Sequence, residues 1–306
     1  MSSVCLICLG DVRAGEGYHA RCARRLFGTA RIPTIDLALS KIHTAALAMV
    51  GHTTFSGVQK KISVGFSTDR KTLQVVTEGG RYILKPQTET YPALPENEHV
   101  TTRLAELVDV AVAPSGLIHL SDGTRAFIVQ RFDRRSDGRK VHQEDFCQLA
   151  EQPPRAKYAG TAELCVRLLR KFATEPPVEI LKLFRMLVFG WWTGNGDVHL
   201  KNLSVLVDPR GIVKLTPAYD QVCTRLVIPQ DTLALPVGGK KDNLSRKSWL
   251  AFAEYAGLTR KAAERVLERQ AAALAPAQEL LERCCLPAEQ KARYADLLAA
   301  RTRQLV

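Results

Sequence analysis

The chain predicts an α+β protein in two parts, a strand-rich first part and a helical second part, and three observations carry that prediction. Short β-type runs separated by turn residues fill the stretch between residues 61 and 130. Helical periodicity dominates from residue 164 to 306. The length of 306 residues, at roughly 100 to 200 residues per domain, allows two lobes or one large domain, and no repeat of period 20 to 50 suggests a solenoid.

Taken in order, residues 61–66, 73–77 and 81–85 are strand-like, the first two joined by polar turn residues and the last two by Glu78-Gly79-Gly80. They are expected to form consecutive antiparallel hairpins. From Glu96, apolar Val100, Leu104, Leu107 and Val108 recur at i, i+4, i+7 and i+8, one face of a helix that Pro114 is expected to stop. Residues 116–120 and 126–130 are two more strands, ending in Arg131-Phe132-Asp133-Arg134, with a hinge expected over residues 131–140. Helices follow at 164–172, 178–192, 249–255, 260–273 and 288–301, the second introduced by Pro176-Pro177, where a missing N–H costs nothing. The expected division is 1–30, a possible zinc-binding segment; 31–133, a first lobe; and 134–306, a helical second lobe. A cleft between lobes is the default ligand site.

Hydrophobic residues make up 46% and charged residues 24%, ordinary globular values that exclude a disordered or collagen-like chain. The opening MSSVCLICLGDVRAGEG has no apolar core behind basic residues, and no run of eighteen apolar residues occurs. A cytoplasmic protein with no membrane span is therefore expected. In a reducing compartment the eight cysteines are thiols or metal ligands rather than disulfides. The net charge, 43 − 31 = +12, favours an acidic partner: phosphates, nucleic acid or an acidic protein face.

The sharpest chemical signal is Gly194-Asn-Gly-Asp197-Val-His199-Leu-Lys201-Asn202. Asp197 and Asn202 stand five apart, a spacing that recurs where a carboxylate accepts a hydroxyl proton and a neighbouring amide oxygen holds Mg²⁺ beside ATP phosphates. Eighteen residues beyond Asn202, Leu215-Thr-Pro-Ala-Tyr-Asp220 supplies a second carboxylate. Mg²⁺ wants oxygen ligands and takes only one or two from protein, which Asn202 and Asp220 satisfy. Lys85 ends a strand, where its charge can hold phosphates, and either Glu96 or Glu98 in the following helix could pair with it. Each element alone is an ordinary surface residue; their order in one chain points to phosphoryl transfer.

At the amino terminus, Cys5-x₂-Cys8 and His19-x₂-Cys22 are two chelating pairs ten residues apart. Three thiolates and one imidazole suit tetrahedral zinc, against the alternative of reduced structural thiols. The other five cysteines have no such spacing and are expected to be buried.

The motifs Phe55-Ser-Gly-Val-Gln59, Ile83-Leu-Lys-Pro86, Leu94-Pro-Glu-Asn-Glu98, Val129-Gln-Arg-Phe-Asp-Arg134, His142-Gln-Glu-Asp-Phe146, Gly194–Asn202 and Thr216-Pro-Ala-Tyr-Asp220 together resemble the HipA-like serine/threonine kinases, toxins of bacterial toxin–antitoxin modules. The resemblance covers roughly residues 52–222 and implies a two-lobed, protein-kinase-like fold. It implies Asp197 as catalytic base, Asn202 and Asp220 on Mg²⁺, and Lys85 on the ATP phosphates. Backbone around Gln130 to Phe132 would grip the adenine, and Ser56, Gly57, Val58, Gln59, Lys60, Lys61, His199 and Lys201 would line the nucleotide site. Thr54 and Ser56 match positions that the family autophosphorylates, and phosphorylation there would add charge that could lock the loop outward. Only about fifty residues precede this loop, so the chain is similar to the short form, HipT, of three-component HipBST modules. That implies a small HipS-like partner in place of the missing subdomain, a DNA-binding helix-turn-helix antitoxin resembling HipB (so that DNA is met only indirectly), and an aminoacyl-tRNA synthetase as substrate. Two other readings remain open at this stage: a small-molecule kinase of the same fold, and a nucleic-acid-binding regulator with an inert kinase lobe. Salt-dependent DNA binding would favour the latter.

Overall fold

The structure, a computed structural model, describes residues 3–41, 60–135 and 137–306. It divides into two compact units: one of Met1–Arg103, Ala113–Arg139 and Arg283–Pro287, the other of Leu104–Val112, Lys140–Glu282 and Ala288–Val306.

The first unit is built on a six-stranded sheet. In chain order its strands are β3 (Thr34–Ile35), β4 (Ile62–Phe66), β5 (Thr72–Val75), β6 (Tyr82–Pro86), β7 (Ser115–His119) and β8 (Arg125–Gln130), after a hairpin of β1 (Ser3–Val4) and β2 (Asp11–Val12). The spatial order is β3-β5-β4-β6-β8-β7. The expected run of consecutive hairpins is corrected here. β4 and β5 do form one, but β6 pairs with the opposite edge of β4, in register Val64 with Tyr82 and Ile62 with Leu84. Glycine permits that crossing: a Cβ on Gly80 would stand 2.0 Å from Ser63 Oγ, and Gly79 has φ +69°. Alternation of buried residues sets the faces, and Ile62, Val64, Leu73, Tyr82, Leu84, Ala126 and Ile128 pack into one core with helix α1 (Ala20–Phe27).

Helix α2 runs Leu94–Leu107, two residues earlier than its periodicity suggested. It ends before Pro114 because Asp109 takes φ +57° and Val110 N–H reaches back to Ala105 O at 3.1 Å, a Schellman-type closure.

The second unit carries a three-stranded sheet, order β11-β10-β9, from β9 (Gln143–Asp145), β10 (Ser204–Val207) and β11 (Val213–Leu215). Its helices are α3 (Phe146–Leu149), α4 (Ala162–Phe172), α5 (Pro176–Trp192), α6 (Arg246–Tyr255), α7 (Arg260–Ala272), α8 (Leu274–Arg283, whose last residue belongs to the first unit) and α9 (Ala288–Arg303). α5 is its axis, apolar nearly all round, with Leu183, Phe184, Val188, Phe189, Trp191 and Trp192 buried. Trp249 of α6 meets Trp191 and Phe184 edge-on at centroid distances of 5.9 and 6.0 Å, and Trp192 Nε1 donates to Thr302 Oγ1 of α9 at 2.8 Å. The strand end expected at Leu215 is that of β11, whereas β1, β2, β3, β9, β10, α1, α3 and α8 were not expected from sequence, most being too short to show a period. Among the described residues no helix is long and apolar enough to cross a membrane.

Candidate active site

α5 delivers the chain into the turn that carries the carboxylates. The helix ends at Trp192, and Gly194 takes φ +70° with Leu297 so close that a Cβ would meet it at 2.7 Å. Asn195 is buried, its N–H bonded to Gly190 O at 2.8 Å. From there it organises the turn: its Oδ1 accepts from Asp197 N–H at 3.1 Å, and its Nδ2 reaches Asp220 O at 3.5 Å. Gly196 has no room for a side chain; a Cβ would lie 2.1 Å from Asp231 Oδ2, and its N–H donates to Thr224 Oγ1 at 2.8 Å.

Asp197 is half-exposed, with 49% of its side chain accessible. Tyr158 donates its hydroxyl to Asp197 Oδ1 at 2.6 Å, and His199 Nε2 lies 3.8 Å from the same oxygen. The Tyr158 and His199 rings meet edge-on at 5.0 Å. Burial pushes His199 below the usual histidine range, against the pull of the Asp197 charge. Asn202, in a short 3₁₀ turn (Leu200–Asn202), donates Nδ2 to Asp197 O at 2.7 Å. A carbonyl accepts only from the NH₂ end, so the amide's orientation is fixed and Oδ1 is left as the ligand-type atom.

Asp220 follows β11 with φ +54°, a left-handed position that aspartate tolerates better than most residues. Tyr219 pins this segment to the Asn202 turn, donating its hydroxyl to Lys201 O at 2.8 Å and lying 2.6 Å from Ser204 Oγ. Asn195 thus ties the backbones of Asp197 and Asp220 together, and Asn202 joins them through Asp197 O. An amide oxygen and a carboxylate are the kind of donors that a hard divalent cation accepts, so Asn202 and Asp220 fit Mg²⁺ by their chemistry.

Lys201, expected at the nucleotide, pairs its ammonium with Asp145 Oδ2 at 2.6 Å, and Asp145 also caps α3. His142 pairs with Glu144 at 2.9 Å on the surface.

In the first unit, Lys85 on β6 is buried and makes an ion pair with Glu98 of α2, also buried. Between the two glutamates the structure chooses Glu98; Glu96 turns to Arg125 at 3.3 Å. The Lys85 ammonium also stands 5.6 Å from the Phe127 ring centroid. Gln130, the last residue of β8, and Phe132 just beyond it are half-buried, with Arg131 chelating Asp133 through two bonds of 2.8 and 2.6 Å. Lys60 and Lys61 are half-buried at the start of β4. Thr54, Ser56, Gly57, Val58 and Gln59 lie outside the described residues.

Cys5, Cys8, His19 and Cys22 come together, their ligand atoms all within 4.8 Å of one another. Cys147, Cys165, Cys223 and Cys284 are buried thiols and Cys285 is half-buried.

Sequence reasoning missed Tyr158 and Thr224. Neither stands in a motif, and only the folded chain brings them to the turn: Leu200 N–H bonds Lys157 O at 3.1 Å, and Gly160 packs so closely on Leu200 that a Cβ would meet it at 2.6 Å.

A strand-rich unit with a buried lysine–glutamate pair and a helical unit with an Asp-x₄-Asn turn and a later aspartate are the parts of a protein-kinase-like fold. The chain belongs to the HipA-like family: residues 53–278 match the HipA-like C-terminal domain. It is 30% identical over 264 residues to "Putative kinase Y4mE" of Sinorhizobium fredii, covering 81% of this chain and 62% of that one. It is 30% identical over 186 residues to the serine/threonine-protein kinase toxin HipA of Shewanella oneidensis, covering 55% and 42%. Among solved structures, the Shewanella HipA–HipB–operator DNA complex superposes with a TM-score of 0.69 at 26% identity, covering 82% of this chain and 64% of that chain. The Helicobacter pylori kinase CtkA shares the fold, TM-score 0.55 at 15% identity, covering 80% of this chain. The chain thus spans less than two thirds of the length of these HipA-like relatives.

Proposed function

We propose that the protein is an ATP- and Mg²⁺-dependent serine/threonine protein kinase and the toxin of a toxin–antitoxin module. The observation that carries this is the Asn195-centred network in which the side chains or backbones of Asp197, Asn202 and Asp220 are held together. Asp197 accepts the acceptor hydroxyl's proton, and Tyr158 orients the carboxylate that does so. Asn202 Oδ1 and the Asp220 carboxylate hold the cation, which when bound offsets charge on the transferred phosphoryl group. Lys85, steadied by Glu98, holds nucleotide phosphates, with backbone near Gln130 and Phe132 gripping the base. Catalysis of this kind rests on positioning and charge stabilisation, not on a covalent enzyme intermediate.

The partners follow from the family. Shewanella HipA is found with HipB and operator DNA, which supports a HipB-like antitoxin here, with DNA contacted through that antitoxin. A small HipS-like protein and an aminoacyl-tRNA synthetase substrate are the finer readings, with Thr54 and Ser56 as sites of self-phosphorylation.

The test is incubation of the full chain with γ-labelled ATP, Mg²⁺ and a bacterial lysate, beside Asp197→Ala. A labelled protein band that needs Asp197 supports the reading. Label transferred only to small molecules, or none at all, overturns it. Phosphate on Thr54 or Ser56 in equal amount on both proteins excludes self-phosphorylation.

A further inference from the structure

The Cys5/Cys8/His19/Cys22 cluster has no part in phosphoryl transfer, yet it is built to a standard that loose thiols are not. Cys5 and Cys22 are buried. His19 Nδ1 lies 3.3 Å from Cys8 Sγ and 3.8 Å from Cys22 Sγ. Its other ring nitrogen lies 2.8 Å from Asp11 O. A carbonyl cannot donate, so Nε2 donates to it and Nδ1 is the nitrogen turned to the thiols, the outer-shell arrangement usual for a metal-bound histidine. The backbone N–H of His19 points at Cys5 Sγ at 3.4 Å, the polarity suited to a thiolate. Around the first pair the chain folds back, with Leu9 N–H on Cys5 O at 2.9 Å, Cys5 N–H on Gly10 O at 2.8 Å and Leu9 at φ +61°. A tetrahedral zinc with Zn–S bonds of about 2.3 Å has sulfur–sulfur edges of about 3.8 Å, and the four ligand atoms already sit within 4.8 Å of one another.

The residues between the first two cysteines reach further. Ile7 O accepts from His99 Nε2 at 3.0 Å, and His99 is buried in α2. Leu6 O accepts from Leu117 N–H of β7 at 2.7 Å, and Tyr18 donates to Leu117 O at 3.1 Å. Gly116 is bare against this turn; a Cβ there would meet Ile7 Cγ1 at 2.7 Å and Leu6 O at 3.0 Å. His99 is the next residue after Glu98, the partner of Lys85. One short turn therefore touches both the cysteine cluster and the helix that presents the glutamate.

We propose that Cys5, Cys8, His19 and Cys22 bind one structural zinc ion, and that the zinc-held Cys5–Cys8 turn fixes α2, through Ile7 and His99, in the position from which Glu98 meets Lys85. Leu6, Ile7 and Leu9 bury the turn against the sheet core, and the metal adds folding energy by tying the Cys5–Cys8 pair to the His19–Cys22 pair. Ile7 and His99 are positioning residues: they act on Lys85 only through Glu98. The metal assignment stands apart from the kinase reading; only the value of the Lys85–Glu98 pair for nucleotide binding rests on it.

Two measurements on the full chain decide this. Protein purified without chelators should carry about one zinc per chain by elemental mass spectrometry, and Cys8→Ser, altering a half-buried ligand, should lose most of it. Sub-stoichiometric metal, or iron instead, overturns the site. Amide hydrogen exchange is then followed in zinc-loaded protein, in protein stripped by a strong chelator, and after zinc is returned. Stripping should speed exchange in residues 94–107 by about tenfold or more, reversibly, with residues 176–192 unchanged. Zinc present in full with 94–107 indifferent to its removal overturns the coupling. A chain that passes both tests and phosphorylates nothing would leave this inference standing while the kinase reading fell.

Discussion

At the level of single residues, the two units hold their ionisable groups in opposite ways. Asp197 is left half-exposed and oriented by Tyr158, whereas Lys85 and Glu98 are both taken out of water. Removing a group of the first kind should cost chemistry and little stability. Asp197→Ala is expected to lower phosphoryl transfer by 10²–10⁴-fold with the urea midpoint nearly unchanged. A group of the second kind behaves differently, because a buried charge stripped of its counter-charge is expensive. Lys85→Ala is expected to destabilise the chain by about 3–5 kcal/mol, and Lys85→Met combined with Glu98→Leu to recover most of that loss without recovering nucleotide binding. Urea unfolding of the three variants beside the wild type checks this. Lys85 and Asp197 were legible from sequence because strand end and Gly-x-Gly-Asp turn are local patterns. The choice of Glu98 over Glu96 was not, because it depends on which face of α2 turns to β6.

At the level of elements, the Gly194–Asn202 turn and α2 each show a constraint that a pattern cannot display. Gly196 stands in the Gly-x-Gly-Asp turn as a point of close contact: Asp231 and the Thr232 carbonyl close over it, leaving 2.1 and 2.6 Å to a Cβ. Gly196→Ala should therefore cost about 1–3 kcal/mol and shift Asp197 enough to cut activity at least as deeply as it cuts stability, measured by thermal melting beside turnover. In α2, burial pushes His99 down to about 3, helped by the charge of Arg103 one turn on. The unfolded chain takes up a proton near the ordinary value of 6.5, and the native chain does not until about 3. Stability from this group is thus whole above pH 6.5 and is lost as pH falls toward 3, by up to about 1.4 kcal/mol per pH unit. His99→Gln, which keeps a donor for Ile7, should flatten that slope by an amount that grows to nearly one proton as pH falls from 7 to about 5 in denaturant titrations; an unchanged slope would place the proton uptake elsewhere.

For the molecule as a whole, the ion pairs Lys85–Glu98, Arg131–Asp133, Lys201–Asp145 and Arg225–Asp242 (2.7 Å) each take up one cation and one anion, so the +12 excess is carried by the other cations and favours an acidic partner without choosing its class. Asp220→Asn is expected to reduce phosphoryl transfer by at least about 100-fold and to raise the Mg²⁺ concentration for half-maximal rate, since the carboxylate is the stronger of the two proposed cation ligands. A titration of rate against Mg²⁺ reads both effects.

The sequence by itself determined the succession of strand-rich and helical parts, the identity of α5 as a buried helix, and the HipA-like motifs in which Lys85, Asp197, Asn202 and Asp220 stand. These depend on periodicity, composition and spacing, which are properties of neighbours along the chain. Only tertiary structure decided that β6 crosses to the far edge of β4, that Lys201 is paired with Asp145, that Tyr158 leans on Asp197, and that the Cys5–Cys8 turn reaches His99, 92 residues away along the chain. Such contacts join distant segments whose approach is set by the burial of whole faces and by glycines that remove a Cβ where two backbones meet, and no local pattern carries that information.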